Sequence, residues 1–138
     1  SHPHLPLDVL LSRGDAWLRT TRGAALGVAR LERTTRLLEH ACVGNVATLL
    51  SQARETSSLP CTPGALGLRH RVPMKWRSQQ ARLPEDGLLV MHTDGLASRT
   101  TVEDPVLLRH HPIVVAHSLL QRFGKGHDDA LVLVARVG

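Results

Sequence analysis

Apolar positions recur along the chain in two rhythms, one helical and one extended. Residues 7–20, LDVLLSRGDAWLRT, place Leu7, Leu10, Leu11, Trp17 and Leu18 roughly on one helical face. Gly14 weakens that helix by about 1 kcal/mol. The helical spacing returns at residues 106–123, VLLRHHPIVVAHSLLQRF, where Pro112 breaks the run or starts a turn and Gly124-Lys125-Gly126 ends it. Between these stretches lie short runs suited to strands. Residues 23–31 are small and apolar on both sides, which suits a strand packed closely against its neighbours. After a turn at Arg33–Arg36, residues 37–43 and 46–51 form two further strand candidates around Gly44-Asn45. Both turn residues tolerate positive φ, so a meander of three short antiparallel strands is expected. Residues 52–58 read as a polar loop that continues through Pro60, Pro63, Gly64 and Gly67. An exposed strand is expected within 74–83, closed by the turn Pro84-Glu85-Asp86-Gly87. Residues 88–91 and 130–137 are the most strand-like runs of all. Strands and helices do not alternate as βαβ units, which predicts the α+β class, a sheet with helices on its faces.

Composition narrows the function classes. A chain of 138 residues supports one domain with a real core and not two. Its 42% hydrophobic and 21% charged residues are ordinary for a globular protein. No apolar run approaches the roughly 18 residues that cross a bilayer, and the opening SHPHLPL lacks the basic and apolar parts of a signal peptide. Cys42 and Cys61 have no metal-ligand spacing. A domain of this size does not need a staple, so a reducing, cytoplasmic setting is expected.

The formal charge of +5 raises a nucleic-acid hypothesis, but the basic residues are scattered and 15 of the 17 are Arg. With 2% aromatics and no Tyr, a base-stacking platform is not expected, and nucleic-acid binding has only the charge behind it. A solvated basic surface, or one that steers an acidic partner, accounts for the charge better.

Two segments carry candidate chemistry. In LLVMHTDG an apolar strand delivers Asp94 to a point just before Gly95, and in GKGHDDALVLVAR a glycine-rich approach delivers Asp128 and Asp129 to the start of the last strand. If the two strands are antiparallel neighbours, Asp94 and Asp128 converge at one edge of the sheet. Carboxylates brought together repel and need a cation or a shared proton, and hard oxygen ligands suit Mg²⁺ or Mn²⁺. Gly95 permits a sharp turn and close approach. Taken singly, each motif is also what an ordinary exposed turn looks like.

Taken together, in type, order and spacing, they resemble the type 2C metal-dependent serine/threonine phosphatases, and within them the bacterial SpoIIE-like and RsbX-like branch. TRGAALGVARLE resembles the strand after the family's first helix, and HACVGNVATLL the strand pair around a Gly-Asn turn. LPCTPGALGL is similar to its Pro-Gly loop, LPEDGLLVMHTDGLASR to its Thr-Asp-Gly segment, and GHDDALVLVAR to its final Asp-Asp strand. The resemblance implies an αββα sandwich, present here in part, with antiparallel sheets flanked by helices. It also implies metal-ligand roles for Asp94 and Asp128, which are therefore the catalytic candidates, with Asp129 a further candidate ligand. The implied reaction is hydrolysis by a water held between two Mn²⁺ or Mg²⁺ ions, without a covalent phospho-enzyme. Neither cysteine sits in a His-Cys-x₅-Arg phosphate loop, in keeping with that. The implied substrate is a phosphorylated STAS-type or stressosome protein of a stress or sigma-factor pathway.

The sequence departs from the family at its start. Nothing in residues 1–22 matches the family's N-terminal Asp-Gly-x-Gly-His-Gly stretch, and Gly14-Asp15 is in reverse order inside a helix. Residues 1–138 are therefore expected to be a single domain corresponding to the C-terminal three-quarters or so of the family's, with an incomplete metal site and little activity alone. The alternative is a catalytically inactive module that binds a STAS-type partner. Dimerisation through an exposed sheet edge is a further expectation. Among other residues, His110, His111 and His117 lack zinc spacing. His92 is expected to pack or to support a ligand rather than bind metal itself; His127 is a candidate for tuning substrate approach, at a position where the family shows varied residues. Arg99 is a candidate phosphate contact or a surface residue, and Trp17 and Trp76 are expected in core or interface positions.

Overall fold

In the computed structural model, which describes residues 5–68 and 76–137, the first amphipathic stretch is helix α1, Leu7–Trp17. Leu7 and Leu11 bury against Ala41, Val43 and Leu66, with Leu10, Leu18 and Trp76 packed around them. Trp17 is the exception, 85% exposed. At 3.6 residues per turn it falls about 80° round the helix from Leu7 and about 120° from Leu11, off the buried face.

Among the described residues seven strands follow: β1 (Leu26–Leu31), β2 (Leu37–Val43), β3 (Val46–Gln52), β4 (Glu55–Leu59), β5 (Gln79–Arg82), β6 (Leu88–Thr93) and β7 (Val132–Ala135). They form two antiparallel sheets, ordered β1-β2-β5 and β4-β3-β6-β7. The meander expected over 23–51 is therefore corrected. Gly44-Asn45 is not a hairpin turn but a crossover that passes the chain from one sheet to the other. Gly44 takes φ 94°, and a side chain there would strike Ala25. The polar loop expected at 52–58 is also corrected. It contains β4, an edge strand joined to β3 by a tight turn with Arg54 at φ 65°. Ser and Thr satisfy an edge ladder with one wet face, which a hydrophobic pattern cannot reveal. The strand expected within 74–83 is β5 at Gln79–Arg82; positions 74 and 75 of that stretch, like residues 1–4, lie outside the described residues.

The turn at 32–36 is fixed by Glu32. Hydrogen bonds from the Thr35 hydroxyl and from the Thr35 and Thr34 amides lower its pKa to about 2. The helical run at 106–123 is two helices, α2 (Pro105–Arg109) and α3 (Pro112–Phe123). A proline opens each, and Asp104 and His111 accept from the Val106 and Ile113 amides as caps.

Strand periodicity sorts the side chains into layers. Leu38 of one sheet meets Leu50 and Leu89 of the other. The outer face of the four-stranded sheet sends Leu49, Leu88 and Val90 against Leu108, Val115 and Leu119 of α2 and α3. With α1 on the opposite side, the result is the expected αββα sandwich.

The cysteine expectation is overturned. Cys42 and Cys61 form a disulfide, with Cα atoms 4.8 Å apart. The Thr62 amide donates to Cys42 O and the Gly44 amide to Thr62 O, laying the 60–67 loop against the end of β2. The 19-residue separation hid that contact in the sequence. The argument for a reducing compartment from the cysteines lapses with it.

Candidate functional site

The antiparallel pairing of β6 with β7, His92 opposite Val132, places the end of one strand beside the beginning of the other. Thr93 closes the pair: its amide donates to Leu131 O at 3.1 Å and its hydroxyl accepts from the Leu131 amide at 3.0 Å. Beyond it the two loops run together. The Lys125 amide donates to Gly95 O and the Ala97 amide to Phe123 O. Gly95 has no room for a side chain, since a β-carbon would collide with the carbonyl oxygen of Asp129 and with Ala130. That approach brings the Asp94 segment against the Asp128–Asp129 segment.

All three aspartates are exposed. Asp94 lines a cavity of about 510 Å³ together with Asn45, His92, Arg99 and Lys125. Asp128 and Asp129 are not among its lining residues. The Asp128 carboxylate instead lies 3.7 Å from His127 Nε2, whose Nδ1 is bonded to Lys125 O. The backbone thus converges as the sequence predicts, while the Asp94 and Asp128 carboxylates face different surroundings. A somewhat larger cavity, about 570 Å³, is lined by Gln52, Glu85, Asp86, Arg109 and Arg136, at the other end of the sheet and away from the aspartates.

The donors present fit a hard divalent cation by chemistry, because they are carboxylate oxygens, and fall short of a complete cage by number. Among the described residues no cluster of three His, Cys, Asp or Glu side chains is placed to hold a metal.

His92 is only 5% exposed, on the sheet face that looks toward α3. Its Nδ1–H donates to Thr93 O at 2.8 Å, which fixes the orientation of the ring. It is a packed residue at the cavity wall. Arg99 lies 5.3 Å from the centre of the Phe123 ring and lines the cavity. Lys125 and Asn45 were not singled out by sequence. Their one signal was position, three residues before Asp128 and in the Gly-Asn crossover.

A family model, stage II sporulation protein E (SpoIIE), matches residues 3–138. No curated protein sequence matches the chain. Among solved structures, one from the bacterial stressosome, a modular system adapted to control secondary messenger signaling, superposes with a TM-score of 0.79 at 26% identity, over 98% of this chain and 70% of that one. RsbX in complex with magnesium gives 0.70 at 21% identity, over 94% of this chain and 63% of that one. The phosphatase domain of the cell fate determinant SpoIIE from Bacillus subtilis gives 0.60 at 16%, over 94% and 65%. The chain thus spans 63% to 70% of the length of these solved relatives.

Proposed function

The chain belongs to the SpoIIE family, in the SpoIIE- and RsbX-like branch of the type 2C phosphatases, and from that premise we propose that it is the larger part of a metal-dependent phosphoserine/phosphothreonine protein phosphatase. The observation that carries the reading is the close packing of Gly95 on Asp129, which holds the Asp94 and Asp128 segments at one sheet edge. Asp94 and Asp128, with Asp129 beside them, would hold Mn²⁺ or Mg²⁺, and the bound ions would supply Lewis acidity and an activated water for phosphoester hydrolysis. Arg99 and Lys125, cations on the wall that Asp94 shares, hold the dianionic phosphoryl group of the substrate. His92 keeps that wall in place through its bond to Thr93 O.

The substrate proposed is a phosphorylated STAS-type or stressosome protein of a stress or sigma-factor pathway, which the stressosome neighbour supports. A cytoplasmic setting follows from that partner class. Among the described residues no helix is long and apolar enough to cross a membrane. At the edge strand β7, Leu131 and Leu133 are 68% and 51% exposed, which supports a further strand of the same polypeptide or a second copy there. A second reading, an inactive module that binds the same partner class, is favoured by the absence, among the described residues, of three His, Cys, Asp or Glu side chains grouped closely enough to hold a metal.

The test is turnover of a phosphoserine peptide with Mn²⁺ by the full-length protein and by residues 1–138. The full-length protein should be active and the 138-residue chain nearly inactive. Asp94→Asn should cost the full-length protein at least about 100-fold, the few kcal/mol that a metal-held phosphoryl oxygen is worth. Full activity in Asp94→Asn overturns the site. A native gene product without turnover leaves the binding module.

A further inference from the structure

The Asp94 cavity does not end at Arg99. A second cavity of about 240 Å³ shares Ala47, His92, Ser98 and Arg99 with it, so the two are limbs of one groove with Arg99 at their junction. The second limb differs in chemistry. One wall is β4, whose Thr56 and Ser58 fall on the same sheet face as Ala47 and His92. The other wall is the segment after Gly95, which brings Ser98, Thr100 and Thr101 and ends at Glu103. The walls are pinned together, since the Thr101 hydroxyl donates to Thr56 Oγ1 at 2.9 Å and the Arg54 amide to Glu103 O at 3.3 Å. Ser58 and Ser98 make no side-chain hydrogen bond among the described residues, and Glu103 no ion pair.

From this arrangement, and resting on the phosphatase reading, we propose that the hydroxyl-lined limb binds the polypeptide on one side of the phosphorylated residue, with Arg99 on the phosphoryl group and Glu103 selecting a basic side chain. Arg99 and Lys125 stand beside Asp94 at one end, and Glu103, with no cation but Arg99 lining its limb, at the other, so the two ends differ in charge and fix which way a substrate lies. Unpartnered hydroxyls suit main-chain amides and carbonyls, which every sequence offers, and leave selection to the charges at the two ends. Arg99 stays aimed at the junction because the Phe123 ring supports its guanidinium. Arg99 and Glu103 are four positions apart, a span of at most about 14 Å, so the basic side chain lies within about four residues of the phosphoserine.

The test is a fluorescence-anisotropy titration of residues 1–138 with labelled phosphoserine peptides that carry Arg or Glu within four positions of the phosphoserine, on each side in turn. The Arg peptide on one side should bind at least about 10-fold more tightly than its Glu counterpart. Glu103→Lys should reverse that preference, and Arg99→Ala should erase the advantage of phosphorylated over unphosphorylated peptide. Absence of binding, or a preference that Glu103→Lys leaves unchanged, overturns the groove. Turnover by the full-length protein separates this from the underlying reading. Turnover with no response to Glu103→Lys keeps the phosphatase and removes the groove; charge-directed binding without turnover keeps the groove and removes the catalytic reading.

Discussion

Asp15 Oδ1 accepts a hydrogen bond from the Gly67 amide at 2.7 Å, across 52 residues of chain. The carboxylate is buried near the end of α1, and Gly67 takes φ 88° with Leu18 so close that a side chain would collide with its backbone. One end of the 60–67 loop is thus fixed to the helix, and the other is fixed to β2. A hydrogen bond to a charged group is worth about 1.5–3 kcal/mol. Asp15→Ala should therefore lower the unfolding free energy by about 2 kcal/mol, read as a lower urea midpoint at unchanged m-value. Asp15→Asn keeps an acceptor oxygen and should lose less. Arg19→Ala breaks only the exposed 3.7 Å ion pair to Asp15 and should stay within about 0.5 kcal/mol of wild type. Equal losses in all three would show that the Gly67 contact is not the source.

The Cys42–Cys61 disulfide closes the same loop from its other end. By the loop-entropy relation, a cross-link spanning about 20 residues stabilises by about 3 kcal/mol. Dithiothreitol should lower the thermal midpoint of the wild type and leave a Cys42→Ser/Cys61→Ser double variant unmoved. Thiol titration of the unfolded, unreduced chain should find none free. Two free thiols and a midpoint indifferent to reductant would contradict the pairing.

His40 lies fully buried between the sheets, with Nε2 2.8 Å from Thr48 Oγ1 and, among the described residues, no partner for Nδ1. Burial lowers its pKa below the ordinary 6.5 because the charged ring is desolvated. The unfolded chain then takes up the proton more readily than the folded one. Stability from this group is complete above about pH 6.5 and declines as the pH falls through that value toward the folded pKa. Urea midpoints measured from about pH 8 to about pH 5 should fall, and His40→Leu should flatten the decline. An identical slope in the variant would assign the effect to other groups.

How much of this was legible depended on whether the signal was local. Leu88–Met91 and the run 130–137 announced β6 and β7, though β7 is shorter than that run, and their pairing put Asp94 and Asp128 on neighbouring segments as expected. The αββα layering was also readable, because the order of motifs was kept along the chain. What failed was what depended on partners distant in sequence. Gly44-Asn45 has the composition of a hairpin turn, and only the separate pairings of β2 with β5 and β3 with β6 make it a crossover. Cys42 and Cys61 meet across 19 positions, where the loop after β4 lies along the end of β2. β4 was hidden because its ladder on β3, not its apolar content, makes it a strand. The aspartate site was legible as backbone and not as side chains: strand pairing places the segments, but the Asp128 carboxylate lies beside its sequence neighbour His127 and does not line the Asp94 cavity.

Gly95 offers the sharpest test of the site. A β-carbon there would press into the carbonyl oxygen of Asp129 and into Ala130, both backbone-anchored and unable to swing away. Gly95→Ala must push the Asp128–Asp129 segment off β6, at an overpacking cost of about 1–3 kcal/mol. Gly126 is the control. Its φ of 78° strains an alanine by about 1 kcal/mol, but a side chain there meets nothing within 4 Å. The two variants should therefore lose similar stability and differ in function. Full-length Gly95→Ala, folded by circular dichroism, should lose Mn²⁺-dependent turnover, and Gly126→Ala should keep most of it. If Gly95→Ala retains wild-type turnover, the Asp94 and Asp128 segments need not be held together, and the two-aspartate site falls.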